Sequence, residues 1–177
     1  MATATKRFRS MSWRTLLAQP EILTEAGTLD GQRAPEWLYF LGEECRIGFC
    51  DFFFSHSWHD DSFLKWNALC NWADDYESNW GRPPTLWLDR VCIDQSNVQA
   101  DLPCLPIFLA ACNGLLIISG LTYPGRLWCC VELFVYWRGA AQKRGSGGLG
   151  DSYGLISDFP NSDLAEPQAR SFDTFAA

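Results

Sequence analysis

Along the chain, apolar and polar positions change their spacing in a regular order. "FCDFFFS" (residues 49–55) is a short, mostly apolar run with aromatics, as expected of a strand buried on both faces of a parallel sheet. After "HSWHDDS", residues Phe63, Trp66, Cys70, Ala73 and Tyr76 recur at helical spacing, with Asp60 or Asp61 placed to cap the first turn. "NWGRPP" ends that helix, and "TLWLD" reads as a second short strand closing on Asp89. A polar loop, residues 90–101, leads to a helix over 102–112 that tolerates Pro103 and Pro106 because its first N–H groups lack intrahelical partners anyway. "GLLIIS" predicts a third buried strand, a turn at Pro124-Gly125 follows, and residues 126–137 read as a third helix. On that helix Leu127, Val131 and Phe134 make a face expected to pack on the sheet.

This alternation predicts an α/β domain, a parallel sheet with helices on both faces. Residues 1–46 carry weaker signals and read as an N-terminal extension, with one short helix around 12–26. Residues 47–160 form the expected domain, in which "YGLISDF" is a candidate fourth strand beyond the Gly-rich segment "GAAQKRGSGGLGDS". Residues 161–177 read as a flexible tail.

Composition adds exclusions. A formal net charge of −7 gives no general field for phosphate, so nucleic acid is not an expected partner. Eight cysteines without any CxxC pair, two of them adjacent at Cys129-Cys130, point to reduced packing thiols, and the ligand spacing of structural zinc sites is missing. No metal is expected. Residues 102–125 contain no charge, but two early prolines, Asn113, Gly114 and Gly120 interrupt them, so a buried helix and strand account for them better than a membrane span. The first twenty residues contain Lys6, Arg7, Arg9 and Arg14 and no acid, which fits a disordered basic tail or an organelle transit peptide. The expected location is the cytoplasm, with an organelle as the alternative.

Ligands of parallel α/β sheets bind beyond the carboxyl ends of the strands, which selects three places: Ser55 to Trp58, Asp89-Arg90 with its loop, and residues 119–125. Glu132 is the only charge between Arg126 and Arg138, four residues from Trp128 and therefore on the same helix face. Two readings of it stand side by side. Partial burial would raise its pKa and make it a site carboxylate; alternatively it pairs with Arg126, Arg138 or Arg90, or is merely solvated. His56, an imidazole at a strand end, is a candidate acid, base or donor. No G-x-S-x-G elbow, Walker loop or G-x-G-x-x-G follows a strand, which argues against a serine hydrolase, a nucleotide kinase and an ordinary dinucleotide oxidoreductase.

"CDFFFSHSWHDD", "LWLDRVCIDQ" and "LLIISGLTYPGRLWCCVEL", in this order, resemble the boxes of the Toll/interleukin receptor (TIR) domain over about residues 48–137. The resemblance implies a flavodoxin-like fold, here with the last strands hard to place. It also implies a signalling role, either as an enzyme cleaving the nicotinamide–ribose bond of NAD⁺ or as a non-catalytic module that associates with itself or with other TIR-like domains. In the enzymatic members the W-x-x-x-E glutamate is catalytic, which corresponds to Glu132 with Trp128. Ser55, His56, Trp58, Asp89 and Arg90 would then border the substrate. NAD⁺ would be a substrate, and no cofactor is implied. The chain lacks the arginine that several NAD⁺-cleaving relatives carry after the first strand.

Overall fold

The structure, a computed structural model, describes residues 2–24, 35–144 and 152–157. Its elements in chain order are α1 (Ala2–Arg7), β1 (Arg9–Ser12), α2 (Trp13–Leu17), α3 (Glu21–Thr24), a 3-10 helix (Glu36–Leu41), β2 (Glu43–Glu44) and β3 (Cys50–His56). There follow α4 (Ser62–Trp80), β4 (Thr85–Trp87), α5 (Asp89–Cys92), α6 (Val98–Asp101), a 3-10 helix (Leu102–Cys104), α7 (Leu105–Ala111), β5 (Cys112–Ser119), a 3-10 turn (Tyr123–Gly125), α8 (Leu127–Arg144) and β6 (Ser152–Ser157).

The strands form one sheet in the order β2-β1-β4-β3-β5-β6. β4, β3, β5 and β6 run parallel, with Phe53 beside Trp87 and Leu115, and Leu115 beside Tyr153. Their spatial order, second-first-third-fourth, is that of a flavodoxin-like sheet. The expected α/β fold is therefore present, and Ser152–Ser157, which includes the "YGLIS" of the candidate fourth strand, supplies its fourth parallel strand, with Asp158 and Phe159 outside the described residues.

Side-chain alternation along β3 assigns the helices to the two faces. Phe52 meets Trp72 and Tyr76 of α4 edge-on, with ring centroids 5.2 and 5.9 Å away. Phe53, pointing the other way, stacks on Trp87 at 4.3 Å, and Trp87 in turn packs on Phe108 of α7. Helix α4 thus covers one face and α7, with α8 packed against it, covers the other.

The N-terminal residues are not an extension. β1 pairs antiparallel with β4, and Phe8, Met11, Trp13, Leu16 and Leu23 are fully buried in the main core. Two of these contacts are aromatic, Phe8 on Phe108 and Trp13 on Trp66. The apolar spacing here was masked because the segment is cut into four-to-six-residue pieces by Ser12 and Pro20, too short for any period to show. The anticipated helix over 12–26 is accordingly two helices, α2 and α3. The expected tail, residues 161–177, and the glycine-rich residues 145–151 lie outside the described residues.

Helix α4 starts as its sequence dictates: the Asp61 carboxylate accepts the Leu64 N–H at 2.8 Å, and the helix ends on Gly81 in the left-handed region, φ 68°. Its buried positions are Lys65, Leu69 and Ala73, whereas Phe63, expected on the inner face, is exposed. The loop 90–101 contains the short helices α5 and α6 and is clamped by Asp101, which is fully buried and accepts from Arg7 and from the Asp94 N–H. Among the described residues no helix is long and apolar enough to cross a membrane.

Candidate functional site

β3 and β5 are adjacent in the sheet, but the connections after them leave on opposite faces, α4 on one and α8 on the other. This is the switch point at which open α/β sheets bind ligands. The rim here is held together by Asp60. Its carboxylate, buried between the two loops, accepts the N–H groups of Gly120 and Thr122 and the Thr122 hydroxyl, at 3.2, 2.7 and 2.7 Å. Ser57 and Thr122 join through their hydroxyls at 2.7 Å. The aspartate pair 60–61 thus divides its work: Asp61 caps α4, and Asp60 ties the two rim loops.

Glu132 enters this switch point from α8. The residues that α8 turns inward are Cys129, Glu132, Leu133 and Tyr136, an i, i+3, i+4, i+7 stripe. Leu127, Val131, Phe134 and Trp137 lie on the outer side, Phe134 at 65% exposure and Trp137 at 63%. The face expected on the sheet therefore points to solvent, and the carboxylate sits in the buried stripe. The reason is chemical: Ser55 of β3 offers a hydroxyl where an inward residue of α8 arrives, so a carboxylate is accommodated there.

At 4% exposure Glu132 is nearly sealed. Ser55 Oγ donates to its Oε2 at 2.5 Å, and Ser55 is in turn 2.7 Å from the phenol oxygen of Tyr123, from the turn before α8. Burial raises the Glu132 pKa from its ordinary value to about 8; the Ser55 hydrogen bond opposes this, Asp89 adds repulsion, and the Trp128 indole opposes again. The alternative of an ion pair with Arg126, Arg138 or Arg90 is not what is found.

Trp58, Asp89 and Arg90 form the next group along the rim. The Trp58 indole N–H donates to Asp89 Oδ2 at 3.1 Å, and the Arg90 guanidinium lies over the Trp58 ring, 4.6 Å from its centroid. Burial pushes the Asp89 carboxyl above its ordinary value, against the pull of Trp58 and Arg90. Its influence on Glu132 places the two carboxyls in one electrostatic field.

His56 goes elsewhere. Next to Ser55 on the strand, it points to the α4 face, stacked on Phe54 at 4.6 Å and edge-on to Trp58 at 4.2 Å. The Lys65 Nζ is 3.4 Å from His56 Nδ1 and donates to the Ser57 carbonyl at 2.5 Å. Burial, together with Lys65, holds the imidazole pKa well below its ordinary value, so it is neutral near pH 7. The structure brings together Ser55, Trp58, Asp89, Arg90, Trp128 and Glu132; His56 leaves β3 on the side opposite Ser55 and meets this group at the Trp58 ring.

Tyr123 is the residue that the sequence did not reveal. It is buried and reaches Ser55, yet it lies in "TYPG", where the turn residues Pro124 and Gly125 dominate the signal. Its register, directly after the Asp60-bound Thr122, is legible only once that clamp is seen. Cys129, beside Glu132, has its thiol pushed up to about 12 by burial and by Glu132, so it is a packing thiol rather than a nucleophile. Among the described residues no cluster of His, Cys, Asp or Glu could hold a metal ion.

Comparison with protein-family models, with curated proteins and with solved structures returns no match. The functional reading therefore rests on the geometry of the switch point.

Proposed function

We propose that this chain is a TIR-like signalling domain whose switch point cleaves the nicotinamide–ribose bond of NAD⁺ through Glu132. The single observation that carries the reading is a carboxylate at the β3/β5 switch point, buried, hydrogen-bonded to Ser55 and flanked by Trp128 in W-x-x-x-E spacing. The sheet order and the strand-end placement of Ser55, Trp58, Asp89 and Arg90 support it.

In the reaction the C1′–N bond breaks and its electron pair leaves with nicotinamide, which departs neutral and needs no general acid. The ribosyl oxocarbenium ion left behind is stabilised by the Glu132 carboxylate, whose charge is worth most where water is excluded. Water then adds to C1′ and gives up a proton, for which Glu132 is the nearest base. Trp58 and Arg90 offer a flat cationic surface for the remainder of the nucleotide.

Glu132 acts in its ionised form, so kcat/KM rises with pH through the ionisation of the free protein, near 8. Purified chain at high concentration, incubated with NAD⁺, should release nicotinamide, and Glu132→Gln should reduce that release at least about a hundredfold. Release that survives the substitution overturns the assignment. Transfer of the ribosyl unit to a base or protein uses the same glutamate, and product identification separates it from hydrolysis.

A second reading, a non-catalytic module that associates with itself or with other TIR-like domains, draws on the outward apolar face of α8, Leu127, Val131, Phe134 and Trp137. It predicts concentration-dependent association without nicotinamide release.

A further inference from the structure

Ser55 has one hydroxyl proton, and it donates that proton to Glu132 Oε2. The 2.7 Å contact between Ser55 and Tyr123 must then be donated by the phenol. The result is a directed chain, Tyr123 O–H to Ser55 O–H to the Glu132 carboxylate, built from three separate elements: the turn after β5, strand β3 and helix α8. Each link polarises the next, so the second donor strengthens the first. When Glu132 takes up a proton, both links can reverse, and the phenol oxygen becomes the terminal acceptor.

We infer that Tyr123 is a positioning residue that acts through Ser55 to orient the Glu132 carboxyl and to favour its ionised form. Every group facing Glu132 has a defined sense. Asp89 on α5 and the buried surroundings favour the protonated form; Ser55 on β3 and Trp128 on α8 favour the carboxylate. The thiol of Cys129 stays protonated, and burial keeps the Tyr123 phenol protonated as well, so Tyr123 contributes a dipole and no charge. Arg90, across the Trp58 ring, acts on Asp89. The catalytic consequence of this inference rests on the proposed NAD⁺ reading; the hydrogen-bond chain itself does not.

The test follows the carboxyl band of Glu132, identified by its loss in Glu132→Gln, in infrared difference spectra across pH. Tyr123→Phe keeps the ring and removes one donor, and it should raise the pH of half-ionisation by about half to one pH unit. Ser55→Ala should raise it further, and adding Tyr123→Phe to Ser55→Ala should then change nothing, because the path is already cut. Replacing the tyrosines with 3-fluorotyrosine, a stronger donor of nearly the same shape, should lower it. An unchanged half-ionisation in Tyr123→Phe or in the fluorinated protein overturns the inference, as does an additive effect in the double variant. If the protein releases nicotinamide, the rising limb of kcat/KM against pH should move upward with the same variant. If it releases none, the NAD⁺ reading fails while the infrared titration still decides the role of Tyr123.

Discussion

At the scale of single residues, the molecule commits a carboxyl to a nearly dry position and supports it with hydroxyls rather than a cation. That choice couples folding to pH. The folded protein holds the Glu132 proton more tightly than the unfolded chain, with a pKa of about 8 against an ordinary 4.5. Stability from this group is therefore fully present below about pH 4.5 and lost as pH rises through about 8, at about 1.4 kcal/mol for each tenfold difference in proton affinity. Glu132→Gln should flatten this slope, and chemical denaturation at pH 6 and pH 9 would show it: the wild type loses stability between them by on the order of 1–3 kcal/mol more than the variant. Glu132 as a candidate was legible in the sequence through its isolation among aromatics and its spacing from Trp128. Ser55 was legible as a strand-end residue, but its link to Tyr123 was not, because the two are 68 residues apart and meet only when β3 lies beside the turn after β5. His56 joins the rim from the other side: strand side chains alternate, so Ser55 faces Glu132 while His56 faces α4 and meets the rim at the Trp58 ring.

At the scale of elements, helix ends and helix faces carry the predictions. Asp61→Ala removes the side-chain cap of α4 and should cost about 1 kcal/mol, read as a drop of several degrees in Tm. Gly81→Ala, which forces an alanine to a φ of 68°, should cost a similar amount. On α8 the outward residues behave differently from the inward ones. Phe134→Ser should leave Tm within about a degree or two while lowering any concentration-dependent association seen in sedimentation velocity, because its ring is largely solvated in the isolated domain. The pattern of "RLWCCVELFVYW" is apolar almost all round, and such a helix does not state which side faces the core. Periodicity alone favoured Leu127, Val131 and Phe134; the shape of the neighbouring sheet and α7 selected Cys129, Leu133 and Tyr136 instead.

At the scale of the whole molecule, the central strands, α4, α7 and α8 were readable because each is a long or strongly apolar run between turn residues. The N-terminal contribution was not, since its pieces are short and gain their meaning from pairing with β4 and packing under Trp66 and Phe108. Deleting residues 2–24 removes Phe8, Met11, Trp13, Leu16 and Leu23 from the core, at roughly 2 kcal/mol each, or about 10 kcal/mol in all. That equals the whole stability of an ordinary domain, so the shortened chain should show no cooperative unfolding transition by circular dichroism, whereas a true extension would be dispensable. The same compact sheet sets the switch point, where β3 and β5 part and the rim loops are tied by Asp60. The most direct test of the account is nicotinamide release from NAD⁺, measured on concentrated protein from about pH 6 to about pH 10. kcat/KM should rise through about pH 8 to a plateau and fall to background in Glu132→Gln. Release with no such limb, or release retained by the glutamine variant, would contradict it.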